Sequence, residues 1–378
     1  MKICNVDEEG RFGGPERRIS QVANLLKNRN DLSCTVIIPK LESEYFRKYL
    51  NELKVDYIIL DITRLTLNFK ILIRYILRFF IEIHTLKKYF KKNKIQIVHV
   101  NGAYQFKTAI AARIAKCKVL WHINSTTTHI FVKYLFTIIS YFCSDGFIVA
   151  SKKSENYYLN NFILKNIIKR KFIHAPVDVH KFDPKNFKKK NSEIVRIKIV
   201  SSINYQKGTI FCLEICESLL RKYNNIEIYF AGPFTSKSSN YGNKALRIIK
   251  KIKQFTDKFS YLGHLENIPE FLHDADIFFC PSKYEASPTS VWEAMSMETA
   301  VITTDVGSIK ENITDHFNGV ITEHGNHNLT LKYFSELIND VSKRKFLAKN
   351  ARDYAIKNLS LEKAVALHYE AYKMVASN

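Results

Sequence analysis

The chain is predicted to be α/β, with two doubly wound parallel-sheet domains facing a shared cleft. Three observations predict this. Its 378 residues exceed the roughly 250–300 at which a single core stops growing. Hydrophobic residues at 46% and charged residues at 25% are ordinary globular values, which excludes a disordered or fibrous chain. Short β-rich runs alternate with longer amphipathic ones, and the runs are apolar almost end to end, as parallel strands covered on both faces require.

The order of elements follows from that alternation. Strands are expected at Ile3–Val6, Thr35–Ile38, Tyr57–Leu60, Gln96–Val100, Val119–Ile123, Phe147–Ala150 and Phe172–His174. A lysine-rich stretch, Lys185–Asn191, interrupts the rhythm. It restarts with Ile197–Ser201, Ile226–Ala231, Ile277–Cys280 and Ala300–Thr303, which places a domain boundary near residues 176–192. Open parallel sheets bind ligands beyond the carboxyl ends of their strands, so the residues just after each strand matter most.

Charge is distributed unevenly. Of a formal net +22, Lys and Arg exceed Asp and Glu by 30 to 13 over residues 1–176, and by 28 to 23 over residues 177–378. The first half therefore faces something anionic. The opening Met1–Asp7 has no apolar signal segment, and no apolar run reaches the roughly 18 residues a membrane span needs. Seven cysteines without a Cys-x-x-Cys pair argue against a disulfide framework or a zinc ribbon, so a cytoplasmic protein is expected.

Three loops carry candidate chemistry. After the first strand, Gly13-Gly14 stands at the mouth of a helix, where bare backbone and the helix dipole suit an anion, although an ordinary turn has the same look. The spacing is not that of a dinucleotide fingerprint. After Ile277–Cys280, Ser287 reads as an N-cap and Pro288 as the first helical residue, so Thr289 and Ser290 sit at a positive helix end. Glu285 and Glu293 flank that end and can accept hydrogen bonds from vicinal hydroxyls; two solvated glutamates on a capped surface helix is the alternative. Lys207 follows the first strand of the second half, where its ammonium could neutralise a diphosphate.

Taken together, these pieces resemble a retaining glycosyltransferase of family 4, a group with the GT-B fold. The resemblance is collinear from Met1 to about residue 370. It runs through Gly13-Gly14, Ile97–Gly102, Trp121-His122-Ile123, Ile148–Ser151, Ala175–Asp178, Lys207-Gly208 and Ala231-Gly232-Pro233. It continues through Pro281-Ser282, Glu285 with Glu293-Ala294-Met295 seven residues on, and Asp305-Val306-Gly307 with Glu311.

The resemblance implies an acceptor-binding domain over residues 1–176, onto which a helix at about 361–378 packs back, and a nucleotide-sugar-binding domain over residues 177–360. It implies that His122, Glu285 and Lys207 serve catalysis, with His122 and Glu285 against the sugar. Gly13, Gly14, Ser287, Thr289, Ser290 and Glu293 hold the donor, Glu293 on the ribose. No metal or other cofactor is implied, since lysine and helix dipole can bear the leaving charge. The implied activity is a hexosyl- or N-acetylhexosaminyltransferase acting on a lipid-linked saccharide acceptor in bacterial surface polysaccharide biosynthesis. Three departures stand out. Ser202 replaces the family's usual arginine, Glu298 and Ala300 replace Gly and Pro in the turn after Glu293, and Ser308 replaces a second glycine.

The segment Phe69–Lys92 is both basic and apolar, with Arg74 and Arg78 four residues apart. It suits either an anionic membrane surface, held peripherally at the inner face of the plasma membrane, or a domain helix with its lysines in water. A nucleic-acid-binding protein is the competing class for so basic a chain, but no helix-turn-helix, zinc finger or RNP signature occurs, so nucleic acid is not an expected partner. A sugar-nucleotide epimerase on the same fold is the competing enzyme.

Overall fold

A computed structural model describes residues 1–165, 169–188, 193–235 and 239–377. The chain divides into two compact units, Met1–Ala175 with Leu361–Asn378, and Pro176–Ser360. Of the lysine-rich stretch Lys185–Asn191, residues 189–191 lie outside the described ones.

The first unit runs β1 (Lys2–Val6), α1 (Gly14–Leu26), β2 (Ser33–Pro39), α2 (Glu44–Glu52), β3 (Tyr57–Leu60), α3 (Phe69–Lys92), β4 (Ile97–Asn101) and α4 (Phe106–Ile114). It continues with β5 (Lys118–Ile123), α5 (Ile130–Cys143), β6 (Gly146–Val149), α6 (Lys152–Tyr158) and β7 (Lys169–Phe172). The strands form one parallel sheet in the order β3-β2-β1-β4-β5-β6-β7.

The second unit runs β8 (Val195–Val200), α7 (Thr209–Lys222), β9 (Ile226–Ala231), α8 (Asn240–Phe255), β10 (Phe259–Gly263), α9 (Ile268–Leu272), β11 (Ile277–Cys280) and α10 (Thr289–Ser296). Then come β12 (Ala300–Thr304), α11 (Ile309–Asn312), β13 (Val320–Thr322), α12 (His327–Asn339) and α13 (Val341–Asn358). Its sheet has the order β10-β9-β8-β11-β12-β13, again parallel. The last helix, α14 (Leu361–Ala376), belongs to the first unit.

Two strands lie beyond those expected. β10 is an edge strand whose Ser260 and Leu262 face outward, and β13 has three residues, too few to show a period. β7 begins three residues earlier than Phe172 and ends there; His174, expected within the strand, instead sets its ring Nδ1 3.0 Å from the Ala150 carbonyl.

Both faces of the first sheet are covered. Phe106, Trp121, Phe136 and Phe147 fill one side with Leu86 and Phe90 of α3. On the other side Ile19 and Val22 of α1 meet Ala371, Tyr372 and Val375 of α14. Burying each of these large side chains contributes roughly 1.5–3 kcal/mol. Gly146 has a packing reason: a Cβ there would stand 2.7 Å from Val375 Cγ1.

Some of the lysines do structural work. Lys54, Lys94 and Lys116 each stand just past the end of α2, α3 and α4 with φ near +53°, +53° and +61°. Each closes a Schellman pair, as in Val55 N–H to Leu50 O at 2.9 Å and Ile95 N–H to Phe90 O at 3.0 Å. Glycine is the usual occupant, but a cation at a helix C-terminus recovers part of the strain.

α3 and α5 keep broad apolar faces in solvent. On α3 these are Phe69, Ile76, Leu77 and Phe80, the last 82% exposed; on α5 they include Phe131, Tyr134 and Phe142. Among the described residues, no helix is long and apolar enough to cross a membrane.

In each sheet the strand order reverses at one place, between β1 and β4 and between β8 and β11. Loops leaving those strands diverge to opposite faces and open a crevice, which is where both candidate sites lie.

Candidate active site

In the second unit, β8 and β11 end side by side and deliver Lys207 and Glu285. The turn before Lys207 is built by Asn204, whose Oδ1 accepts the Lys207 N–H at 2.9 Å. Gly208 follows at φ +63°, and a Cβ on it would stand 2.2 Å from the Pro281 carbonyl oxygen, so only glycine lets the two loops approach. The Lys207 ammonium pairs directly with Glu285 Oε1, which also accepts from Ser282 Oγ at 3.1 Å. Burial pulls the Lys207 pKa down, but the facing Glu285 outweighs it, and the ammonium is held above its ordinary value. The cation is therefore firmly charged and already committed to a carboxylate.

The helix end expected after β11 is present, with one correction. α10 starts at Thr289, and Pro288 rather than Ser287 occupies the cap position. Ser287 does not cap because its hydroxyl is engaged elsewhere: Oγ accepts from Trp292 Nε1–H at 3.0 Å and lies 3.1 Å from Ser308 Oγ. Thr289 and Ser290 lie partly exposed in the first turn of α10, and Glu293, 7% exposed, lies one turn further in. Ser308, at the position of the expected second glycine, thus braces the loop. Gly307, at φ +49°, has room for no side chain, since a Cβ would stand 2.2 Å from the Ala286 carbonyl oxygen. Ser202 accepts from Asn204 Nδ2 at 3.0 Å, so the residue at the missing-arginine position supports the Lys207 turn.

In the first unit, Gly13 and Gly14 are exposed at the N-terminus of α1, as expected. The anion seat they form is filled from within. The Glu16 carboxylate lies over Gly13, its Oε2 3.2 Å from where a Cβ there would stand. Burial raises Glu16 to about 7, with the Glu9 charge adding to it. Asp7, at the end of β1, is also driven well up by burial, and Glu16 reinforces this.

His122 sits at the end of β5 but points into the protein. It is fully buried, its Nε2 lies 2.9 Å from Arg18 Nη1, and its Nδ1 lies 3.2 Å from His99 Nε2. The reading of His122 as a sugar-facing residue does not match this placement, because both faces of the sheet are covered and both ring nitrogens have partners. Burial, followed by the Arg18 charge, pushes its pKa well below the usual histidine value, so it is neutral. Arg18, also buried, donates to Asn101 Oδ1 at 2.7 Å, while His99 reaches Tyr372 OH on α14 at 2.9 Å. This network, and the Asp7 and Gln105 side chains beside it, went unnoticed in the sequence; an acid directly after an apolar strand was the one available signal.

Comparison with known proteins identifies the family and the fold. The family model for glycosyl transferases group 1 matches residues 179–354, and that for Glycosyltransferase Family 4 matches residues 12–181. An uncharacterized glycosyltransferase of Methanocaldococcus jannaschii is 31% identical over 127 residues, covering 32% of this chain and 36% of its own. The capsular polysaccharide biosynthesis glycosyltransferase CapH of Staphylococcus aureus is 28% identical over 163 residues, covering 41% and 43%. The chain thus spans well under half the length of these two relatives. A fuller match, 24% identical over 96% of this chain and 97% of the relative, is the Campylobacter jejuni GalNAc-alpha-(1->4)-GalNAc-alpha-(1->3)-diNAcBac-PP-undecaprenol alpha-1,4-N-acetyl-D-galactosaminyltransferase.

Among solved structures, a glycosyltransferase from Rickettsia africae superposes with a TM-score of 0.83 at 20% identity, covering 100% and 99% of the two chains. Anabaena HepE in complex with UDP-glucose superposes at 0.80 and 16% identity, covering 100% of both. With the two models matched in sequence order along the two units, the chain belongs to the family 4 glycosyltransferases, of glycosyl transferases group 1 and the GT-B fold.

Proposed function

We propose that this chain is a retaining glycosyltransferase that moves a sugar from a UDP-sugar to a lipid-linked saccharide during assembly of a bacterial surface polysaccharide. One observation carries the reading: the Lys207–Glu285 pair stands beside the N-terminus of α10, so a cation, a positive helix end and a carboxylate share one loop cluster. On donor binding Lys207 leaves Glu285 for the diphosphate, and the amides near Thr289 and Ser290 take the phosphate oxygens. Glu293 holds the ribose hydroxyls, and Glu285, released, accepts from the sugar. Ser287 keeps the loop in shape through Trp292. Gly13 and Gly14 present backbone amides to phosphate once Glu16 turns away, and His122 positions Arg18.

The glycosidic bond to the leaving phosphate breaks as the acceptor oxygen attacks from the same face, and that phosphate takes the acceptor's proton. The leaving charge rests on Lys207 and the helix end, so the reading needs no metal or other cofactor. The second unit is the donor domain and the first the acceptor domain. UDP is favoured by the complex formed by the Anabaena neighbour, and an N-acetylhexosamine and an undecaprenyl-linked acceptor by the name of the Campylobacter relative. Calorimetry with UDP-, GDP- and ADP-sugars tests the donor, and anomeric analysis of the product tests retention. A flat response to every nucleotide sugar removes the reading.

A lipid-linked acceptor places the enzyme at the inner face of the membrane. The exposed apolar faces of α3 and α5, with Lys70, Lys87, Lys88 and Lys91 on α3 and Lys133 on α5, suit an anionic surface, where each cation adds about 1 kcal/mol. Cosedimentation with phosphatidylglycerol vesicles is expected, and with neutral phosphatidylcholine vesicles it is not. Equal recovery from both removes the membrane from the reading.

A further inference from the structure

We infer that the cavity of about 420 Å³ at the carboxyl ends of β1 and β4, in the first unit, binds a neutral hydroxyl-rich sugar through Asp7 and Gln105. Its volume lies within the range of small-ligand sites. Both side chains line it and both are buried, at 2% and 5% exposure. Asp7 Oδ1 accepts from the Glu9 N–H at 2.9 Å and from Gln105 Nε2 at 2.8 Å. Those bonds fix both side chains and leave Asp7 Oδ2 and Gln105 Oε1 buried without a hydrogen-bond partner among the described residues. Buried polar atoms are rarely left so, because the water they gave up is not replaced.

The lining decides what replaces it. Despite the +22 of the whole chain, this cavity carries Glu8, Glu9 and Glu16 beside Asp7, against Arg11 and Arg64 alone. Both arginines are paired with carboxylates, Arg11 with Glu9 at 2.9 Å and Arg64 Nη1 with Glu9 at 3.2 Å and with Glu42, while Arg64 Nε keeps no hydrogen-bond partner among the described residues. An anion would meet four acidic side chains and no cation that is not already paired with a carboxylate. An ammonium would meet an Asp7 that burial holds toward its protonated form. A hydroxyl both gives and takes a hydrogen bond, so it satisfies Oδ2 in either state and Gln105 Oε1 as well. The floor is stiff, since Asn101 is held by Arg18 at 2.7 Å and donates to the Val6 carbonyl at 2.9 Å.

On the transferase reading above, on which this assignment of the ligand's role rests, the occupant is the terminal sugar of the acceptor rather than its diphosphate. The test is ligand-observed NMR on the full chain with methyl glycosides of N-acetylgalactosamine, galactose and glucose, and with inorganic phosphate as competitor. At least one glycoside is expected to bind, and Asp7→Asn and Gln105→Leu are each expected to weaken it about tenfold or more. Thermal unfolding checks that each variant folds, and Gln105→Leu carries the test where Asp7→Asn does not. No glycoside binding, binding within twofold of wild type in both variants, or displacement by phosphate overturns the inference. Calorimetry of the wild type with UDP separates the two claims. Glycoside binding through Asp7 with no nucleotide binding leaves the cavity and removes the transferase, whereas UDP binding without glycoside binding removes the cavity alone.

Discussion

Lys107 in the first unit and Lys207 in the second both face glutamates, yet they are held in different ways. Lys107, on α4, is completely buried. Its ammonium contacts Glu82 of α3 and the Thr63 carbonyl, lies 3.7 Å from Glu8 Oε2, and sits 4.0 Å over the Tyr75 ring. Lys207 keeps 30% of its side chain in solvent and faces Glu285. The first lysine joins three elements and has nowhere to go. The second is free to exchange its carboxylate for another anion, which on the proposed reading is the donor phosphate.

The largest effect that can break this contrast is on stability. Lys107→Met leaves Glu8 buried without its cation and Glu82 with Arg78 alone, at 3.4 Å, and is expected to cost about 3–5 kcal/mol in chemical denaturation. Adding Glu82→Gln should recover part of that, because one stranded charge is removed. A loss below about 1 kcal/mol for the single variant would mean that Lys107 is not the fixed member of the pair.

Lys207→Ala should behave in the opposite way. Its unfolding free energy is expected within about 1 kcal/mol of wild type, since a partly exposed ion pair contributes little. Turnover of the UDP-sugar at saturating donor should fall by about two to three orders of magnitude, as on removal of a group that stabilises a developing oxyanion. Unchanged turnover would end the assignment of Lys207.

Acidity sharpens the contrast next. Glu16 rises from 4.5 to about 7 on folding, so between those values the folded state holds a proton that the unfolded state has released. Stability from this group is complete below pH 4.5 and falls as pH rises to 7, by roughly 3 kcal/mol. The neutral buried histidines act in reverse: His368, held near 3, costs stability as pH drops below 6.5. The Glu16 contribution is therefore read as a difference. Glu16→Gln should gain on wild type steadily from pH 4.5 to 7 and level off above, and parallel curves would show that Glu16 is not the titrating group.

The same contrast explains what could be read in the sequence. The second unit's site is contiguous, with Lys207-Gly208 in one loop and Glu285 to Glu293 in the next, so a motif reveals it. The start of α10 was misplaced by one residue, with Ser287 read as the cap and Pro288 as the first helical residue, since a capping hydroxyl and one bound to Trp292 look alike in sequence. In the first unit the partners are remote: Asp7 meets Gln105 98 residues away, Arg18 meets His122 104 away, and His99 meets Tyr372 273 away. Periodicity tells which face of a strand is covered and not which side chain covers it. Trp121 and His122 point to opposite faces of β5 and both are buried, so a polar residue at a strand end need not face a ligand.

The smallest effect concerns the turn after Glu293. Glu298 adopts φ +56° just past α10, closing the same pair of bonds as the lysines of the first unit: Thr299 N–H to Ala294 O at 3.2 Å, Glu298 N–H to Met295 O at 3.1 Å. There a lysine eases the helix dipole, whereas a glutamate opposes it, and both pay the left-handed strain of about 1–2 kcal/mol. Glycine removes the strain but loses about 0.4–1 kcal/mol through the unfolded chain. Glu298→Gly should therefore stabilise the protein by about 1 kcal/mol, and Lys94→Gly by distinctly less, since it also gives up a favourable charge. If both gain equally in thermal unfolding at low salt, the dipole plays no part in which residue each unit places at its helix ends, and only the backbone strain remains.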